Sequence, residues 1–170
     1  MRRFLISLTL ASALLATPAI AKDPPAVAPA MNVGAFGLVG SPSVGWVSQY
    51  VYAGPGLIIS PTPWFNFVPS VTLEVAPGIG NWGFAGNAIL EFVPPGSPVA
   101  IDIMPTIIQD TAPGGATVGV WALGLGANIL LPGGASLCLG FQIAGVIGDP
   151  AAGVTFNPLV NFGIPLPTKP

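Results

Sequence analysis

The chain of 170 residues contains no histidine, a single cysteine and very few charged residues. Without histidine, a Ser-His or Cys-His nucleophile pair cannot form, and the commonest metal ligand is missing. Cys138 has no second cysteine with which to form an internal disulfide. The four basic residues, Arg2, Arg3, Lys22 and Lys169, lie near the two ends, so a basic surface for nucleic acid is excluded between them. We therefore expect no catalysis, no cofactor, no metal cofactor and no nucleic-acid partner.

Charged residues make up 6% of the chain, whereas an ordinary soluble domain is charged at about a quarter of its positions. Glycine and proline are abundant, with 23 and 21 residues, but 52% of the residues are hydrophobic. A disordered chain would combine low hydrophobicity with high charge, which is the opposite composition. The chain must therefore bury its apolar surface, and its length allows one domain.

Residues 1–21 have the order of a secretory signal peptide. Arg2 and Arg3 precede an apolar run from Phe4 to Leu15, and Ala19-Ile20-Ala21 provides a small-x-small cleavage site. The apolar run is shorter than the roughly 20 residues that a membrane-spanning helix needs. We expect cleavage after Ala21 and an exported protein.

Clusters of glycine and proline divide the rest of the chain into eight segments. We expect a Pro/Ala-rich N-terminal tail over 22–30, a folded region over 31–164 and a C-terminal tail over 165–170. Proline presets φ and glycine supplies positive φ, so each cluster predicts a turn. The turns are expected near 40–42, 61–63, 77–81, 94–97, 110–115, 132–134 and 149–153.

Within the segments, large apolar residues alternate with small or polar ones. In 135–147, Leu137, Leu139, Phe141 and Ile143 share one face, and the other face carries Ser136, Cys138, Gly140, Gln142 and Ala144. This period of two predicts β-strands. The second face is small and uncharged, which suits a lumen better than a surface in water, so the large apolar face is expected to meet lipid. The prediction is an all-β, closed, antiparallel up-and-down membrane barrel of about eight strands with short turns; a soluble or self-assembling β-protein and a helical membrane protein are the alternatives.

At the level of architecture, the region 31–164 resembles the small eight-stranded outer-membrane β-barrel proteins of bacteria. The resemblance rests on the signal peptide, the even strand number and the alternation, without a diagnostic motif. It implies aromatic girdles, and outward Trp82 and Phe92 are placed for them: their ten residue steps, at about 3.3 Å each and a tilt of about 40°, span roughly 25 Å. Two features depart from that family, because every connection is short and the chain continues past Phe162 to Pro170.

Two groups of carboxylates are candidate functional residues. Pairing around the 94–97 turn is expected to bring inward Glu91 opposite or diagonal to inward Asp102 on the lumen wall. With no basic residue nearby in sequence, the pair needs a water-filled lumen, a shared proton or a bound cation. Glu74, Asp110 and Asp149 are expected to gather at the mouth away from the chain ends. Cys138 is expected to be a small lumen residue and not a reactive thiol.

The sequence therefore predicts an outer-membrane barrel that is either a narrow, acid-lined, cation-preferring pore or a structural element of the membrane. The expected partners are membrane lipid and either small cations or a slim apolar ligand. One alternative is an exported barrel, in the periplasm or at the cell surface, that binds an apolar molecule. Another is a surface or matrix protein that self-assembles through exposed β-edges.

Overall fold

A computed structural model describes residues 27–37 and 49–167 of the chain. The predicted signal peptide, the turn near 40–42 and both lysines lie outside these residues. The eight strands are β1 (Val27–Gly37), β2 (Gln49–Thr62), β3 (Phe65–Ala76), β4 (Asn81–Phe92), β5 (Val99–Thr111), β6 (Thr117–Leu130), β7 (Ser136–Val146) and β8 (Val154–Pro165). A single turn of 3₁₀-helix, Pro150–Ala152, precedes β8.

The eight strands form one closed antiparallel barrel in which each strand pairs with its neighbours in sequence. The barrel closes where β1 pairs with β8, from Ala30 opposite Pro165 to Phe36 opposite Leu159. This confirms the predicted all-β, up-and-down architecture. It also shows that the helical alternative is wrong for the described residues, where no helix has the length and apolar character needed to cross a bilayer.

Turn chemistry explains where the strands end. Gly80 and Gly96 adopt φ of 74° in the connections 77–80 and 93–98, a backbone conformation that is readily available only to glycine. Gly115, Gly134 and Gly153 take positive φ in three further connections. Each of the six predicted turns that fall on described residues overlaps an observed connection, although the turn predicted at 61–63 shares only one residue with the connection 63–64. The overlap arises because glycine and proline set the local φ angles that turns require.

One segment boundary differs from the prediction. Strand β1 begins at Val27, so residues 27–30 of the predicted tail belong to the barrel; Pro29 lies opposite Leu57 of β2. Strand β2 continues through Gly54-Pro55-Gly56 without a break. A Cβ atom at Gly54 would overlap the carbonyl oxygen of Val71 on β3, so glycine there permits close approach of the two strands and does not mark a turn.

The alternation along the strands sets the two faces of the barrel as predicted. On β7, Leu139 and Phe141 point outward and are about half exposed, whereas Cys138 and Gln142 point inward and are buried. We name the two ends of the barrel by where the ends of the chain lie. The terminal end carries the start of β1, the end of β8 and the connections 63–64, 93–98 and 131–135; the opposite end carries 77–80, 112–116 and 147–153.

Candidate functional site

The candidate site is the barrel lumen, which is lined mainly by small and polar side chains. The buried polar residues that face it include Asn32, Ser70, Thr72, Glu74, Glu91, Asp102, Thr106, Asn128, Gln142, Asn157 and Asn161. Alanine fills much of the remaining inner wall. Such a wall agrees with the predicted inward face, and it contains acidic groups but no basic group among the described residues.

An apolar layer divides this lumen near its middle. Val68, Ile89, Met104 and Leu159 form a buried cluster, against which Tyr52 packs. Gly124 leaves space for the layer, because Met104 and Leu159 both reach to within about 3.3 Å of the position that a Cβ would occupy there. The cavity that remains at this level has a volume of about 30 Å³, enough for about one or two water molecules. The lumen is therefore narrowest at this layer, with a larger cavity on each side.

The cavity at the terminal end is the larger of the two, with a volume of about 280 Å³. It extends from the apolar layer to residues of the terminal-end connections, including Pro63, Val93 and Gly134. The cavity at the opposite end has a volume of about 190 Å³ and is bordered by Tyr50 and Asp110. Each cavity thus has carboxylate on its wall and turn residues at its rim.

Glu91 and Asp102 lie directly opposite each other on β4 and β5 in the terminal-end cavity. This is the juxtaposition that the short connection between the two strands predicts. Both Glu91 oxygens accept hydrogen bonds from side-chain amides, Oε1 from Asn66 Nδ2 and Oε2 from Asn128 Nδ2. Asn128 is on β6, so Glu91 reaches across β5 to make the second bond. Two amides therefore hold one carboxylate of the pair in place.

Asp102 has no comparable support. Its side chain is 1% exposed, and neither of its oxygens has a hydrogen-bond partner within the described residues. The Oδ1 atom of Asn128 is likewise buried without a donor there. A buried carboxylate without donors is costly, so this corner of the lumen carries an unmet demand for positive charge or for donors.

Cys138 lies beside the pair and confirms the prediction of a small lumen residue, since it is fully buried and unbonded to another cysteine. Across the β5–β6–β7 sheet, Asp102 faces Gly126 and Asn128 faces Cys138. A Cβ atom at Gly126 would overlap the Cys138 Sγ atom. The thiol therefore occupies the space that a side chain at position 126 would otherwise fill.

A second carboxylate pair lies at the opposite end. Glu74 and Asp110 flank Gly83, with Glu74 opposite Gly83 on one side and Asp110 opposite it on the other. Asp110 Oδ2 accepts hydrogen bonds from the Tyr50 hydroxyl at 3.0 Å and from Asn81 Nδ2 at 2.9 Å. Glu74 is buried, and its Oε2 atom has no partner among the described residues. Asp110 borders the cavity at this end, whereas Glu74 lies deeper and lines the small cavity at the level of the apolar layer.

Asp149, the third residue predicted at that mouth, lies at the same end but takes no part in the lumen. Its side chain accepts a hydrogen bond from Ala151 N at 3.1 Å and caps the 3₁₀ turn Pro150–Ala152. The residue is exposed. The alternation of inward and outward positions does not apply to Asp149, because this residue lies in a connection and not in a strand.

The aromatic residues predicted for girdles occupy the two ends of β4. Trp82 follows the 77–80 connection and is 46% exposed; Phe92 precedes the 93–98 connection and is 37% exposed. Phe92 faces Phe65 of β3, with ring centroids 5.2 Å apart, and exposed Trp64 adjoins Phe65 at the same end. The placement is that of outward aromatic residues near both rims.

Sequence reasoning missed the apolar layer. Its signal was present, since Val68, Ile89 and Leu159 interrupt the inward small-polar pattern of their strands. The layer could not be recognised from the sequence, because each residue is an isolated exception within its own strand. Only the strand register brings these residues to the same height in the barrel. Across the described residues, no group of three or more His, Cys, Asp or Glu side chains is suited to holding a metal ion; the buried carboxylates come in pairs.

Comparison with known proteins gives one structural likeness. No protein-family model matches the chain, and no curated protein matches it either. The crystal structure of Neisserial surface protein A aligns with a TM-score of 0.41 and 12% sequence identity, covering 82% of this chain and 96% of that one. The eight-stranded barrel is assigned here from the strand pairing of this chain itself.

Proposed function

We propose that the protein is a non-enzymatic outer-membrane β-barrel that serves as a structural element of the membrane. In this proposal its lumen is closed by the apolar layer of Val68, Ile89, Met104 and Leu159, with an acidic vestibule at each end. The terminal end faces the periplasm in this proposal.

The observation that carries the proposal is the composition of the outward face. No outward position of the eight strands holds a charged residue. Large apolar side chains stand exposed there on β3, β5 and β8, among them Val71 at 59%, Ile107 at 59% and Phe156 at 68%. A soluble monomer seldom exposes an apolar patch larger than a few hundred Å², whereas this face continues around the barrel. Lipid is the solvent that such a face requires.

The polar outward residues support the same conclusion by their position. The exposed ones are glutamine and threonine, and they lie at the opposite end of the barrel, at Gln109 and Thr117. The middle of every strand is apolar on its outer side. An apolar band with polar residues at a rim and aromatic residues near both rims is the arrangement expected of a barrel seated in a bilayer.

Two alternatives lose support. Self-assembly through β-edges needs an unpaired strand edge, and among the described strands each one pairs on both sides. An exported barrel that binds an apolar molecule inside would need a continuous apolar cavity, but the larger cavity contains Glu91, Asp102 and several amides.

A narrow cation-preferring pore is the second candidate function. The carboxylate pairs at both ends favour it, since a cation entering from either side meets negative charge. Conduction would require Met104 and Leu159 to move aside, because they narrow the space between the two cavities.

Fractionation of cells that express the full chain tests the proposal. The protein should remain with the outer membrane after washing with salt and alkaline carbonate, and should need detergent for release. On a gel it should migrate faster unheated than boiled, because a closed barrel resists unfolding by the detergent. Recovery in the soluble fraction, without a heat-dependent shift, would contradict the proposal.

A further inference from the structure

We propose that the terminal-end cavity binds one divalent, oxygen-liganded cation of the calcium class between Glu91, Asp102 and Asn128. The inference rests on the barrel fold of the proposed function, but it does not depend on whether the barrel conducts ions. It assigns a specific occupant to the carboxylate pair.

The first argument is an excess of hydrogen-bond acceptors. Four carboxylate oxygens and the Asn128 Oδ1 atom converge on this corner of the lumen. The side-chain amides of Asn66 and Asn128 reach it and both bind Glu91, and the Cys138 thiol beside Asp102 is only a weak donor. Both Asp102 oxygens and Asn128 Oδ1 are buried without a donor. Acceptors in surplus at one point are what a bound cation satisfies.

The second argument is charge. Two ionised carboxylates on directly opposed positions repel each other, and burial strengthens that repulsion. Among the described residues there is no lysine or arginine to neutralise either of them. One divalent cation balances the charge of the pair, whereas a monovalent cation leaves half of it uncompensated.

The third argument is the type of ligand atoms and the volume of the cavity. Carboxylate and amide oxygens are hard ligands, and a site without histidine and with one thiol beside it is poorly suited to zinc or copper. Calcium takes about six to eight oxygen ligands in flexible geometry, and waters can supply those that the protein does not. The cavity of about 280 Å³ leaves space for such waters and reaches the turn residues of the terminal end.

The organisation of the site also agrees with a preformed cradle. Asn66 and Asn128 fix the Glu91 carboxylate from two sides, so only Asp102 needs to adjust on binding. Gly126, opposite Asp102, presents no side chain of its own to the site. These features hold one ligand rigidly and leave the second accessible.

Calorimetric titration of the purified, EDTA-treated full-length barrel with CaCl₂ in detergent, at neutral pH and in potassium chloride, tests the inference. We expect saturable binding of one Ca²⁺ per chain, with Mg²⁺ binding more weakly. Glu91→Gln and Asp102→Asn should each weaken binding by roughly tenfold or more, and together should abolish it. The matched control is Glu74→Gln with Asp110→Asn, which removes the pair at the opposite end and should leave the binding unchanged.

A measurement on the unmodified protein guards against variants that do not fold. Ca²⁺ should raise the temperature at which the wild-type barrel unfolds, relative to EDTA, because a ligand that binds the folded state stabilises it. A heat-modifiable wild-type barrel that shows neither Ca²⁺ binding nor this shift would overturn the inference while leaving the proposed function intact. Binding that survives the Glu91→Gln, Asp102→Asn double change, or that disappears in the control, would also overturn it. A protein without the heat-dependent gel shift would contradict the proposed function instead.

Discussion

The hydroxyl of Tyr52 on β2 donates a hydrogen bond to Asn161 Oδ1 on β8 at 3.1 Å, and in doing so it crosses β1. Tyr52 lies opposite Gly34, and Gly34 lies opposite Asn161, so the three residues form one row across the line where the barrel closes. A Cβ atom at Gly34 would overlap the tyrosine ring. The missing side chain of β1 is therefore what allows its two neighbouring strands to bond directly.

Loss of this bond should weaken barrel closure. Tyr52→Phe is expected to lower the free energy of unfolding by about 1 kcal/mol, the usual net contribution of one hydrogen bond. Gly34→Ala should cost more, because the ring must leave its position. Urea unfolding of the folded barrel measures both effects. A double-mutant cycle with Asn161→Ala is the control: if Tyr52→Phe costs as much in that background as in wild type, the bond across β1 contributes nothing.

The lipid-facing role of the outer surface can be tested by depth. Leu139→Arg, on the apolar band of β7, should lower the free energy of unfolding in a bilayer by roughly 2–4 kcal/mol. Gln109→Arg, equally outward but near the rim at the opposite end of β5, should cost about 0–1 kcal/mol. Reversible unfolding from lipid vesicles gives both values. Equal costs for the two arginines would be inconsistent with a barrel that spans the bilayer.

The faces and turns of this barrel were predictable from sequence because both depend on local chemistry. Side-chain direction alternates along a strand whatever its partner. The alternation alone therefore places Leu139 and Gln142 on opposite faces of the barrel wall. The approach of Glu91 to Asp102 was also predictable, since one short connection joins their strands and fixes their register.

The features that sequence did not reveal depend on contacts between distant strands. Met104 and Leu159 are far apart in the chain, and they meet only because Gly124 leaves space between them. Strand β1 was predicted to begin too late because Val27 to Ala30 has the composition of a tail. In the structure, the Pro29 carbonyl accepts a hydrogen bond from Leu166 N at 2.8 Å, a partner at the other end of the chain.

Replacement of Met104 and Leu159 in the apolar layer should open a continuous path for ions between the two cavities. In planar bilayers we expect the wild-type protein to show no steady conductance, and Met104→Ser with Leu159→Ser to produce a small, cation-preferring current. The cation preference follows from the carboxylates on both sides of the layer. Leu123→Ser with Leu125→Ser changes two outward leucines and should not conduct. A steady current through the wild type would favour the pore as the function.

The fit between Cys138 and Gly126 makes a steric prediction. Gly126→Ala should destabilise the barrel by about 1–3 kcal/mol, because the new methyl group overlaps the buried thiol. Cys138→Ala should relieve most of that cost in the double variant, whereas Cys138→Ser, which puts a smaller oxygen close to the sulfur position, should relieve less of it. Thermal unfolding of the wild type, the three single variants and the two double variants measures the coupling. Additive effects of Gly126→Ala and Cys138→Ala would show that the two residues do not compete for space.

The short connections should make the barrel resistant to proteases. Each described connection holds between two and seven residues, and those at 77–80, 93–98 and 112–116 combine proline with a glycine at positive φ. A protease must draw an extended stretch of chain into its cleft, and exposed loop tips are where it normally finds one. These tight turns cannot supply such an extended stretch, and the strands between them are fully paired. Digestion of intact membranes should therefore spare the described connections, so that no cut falls between Gln49 and Pro165.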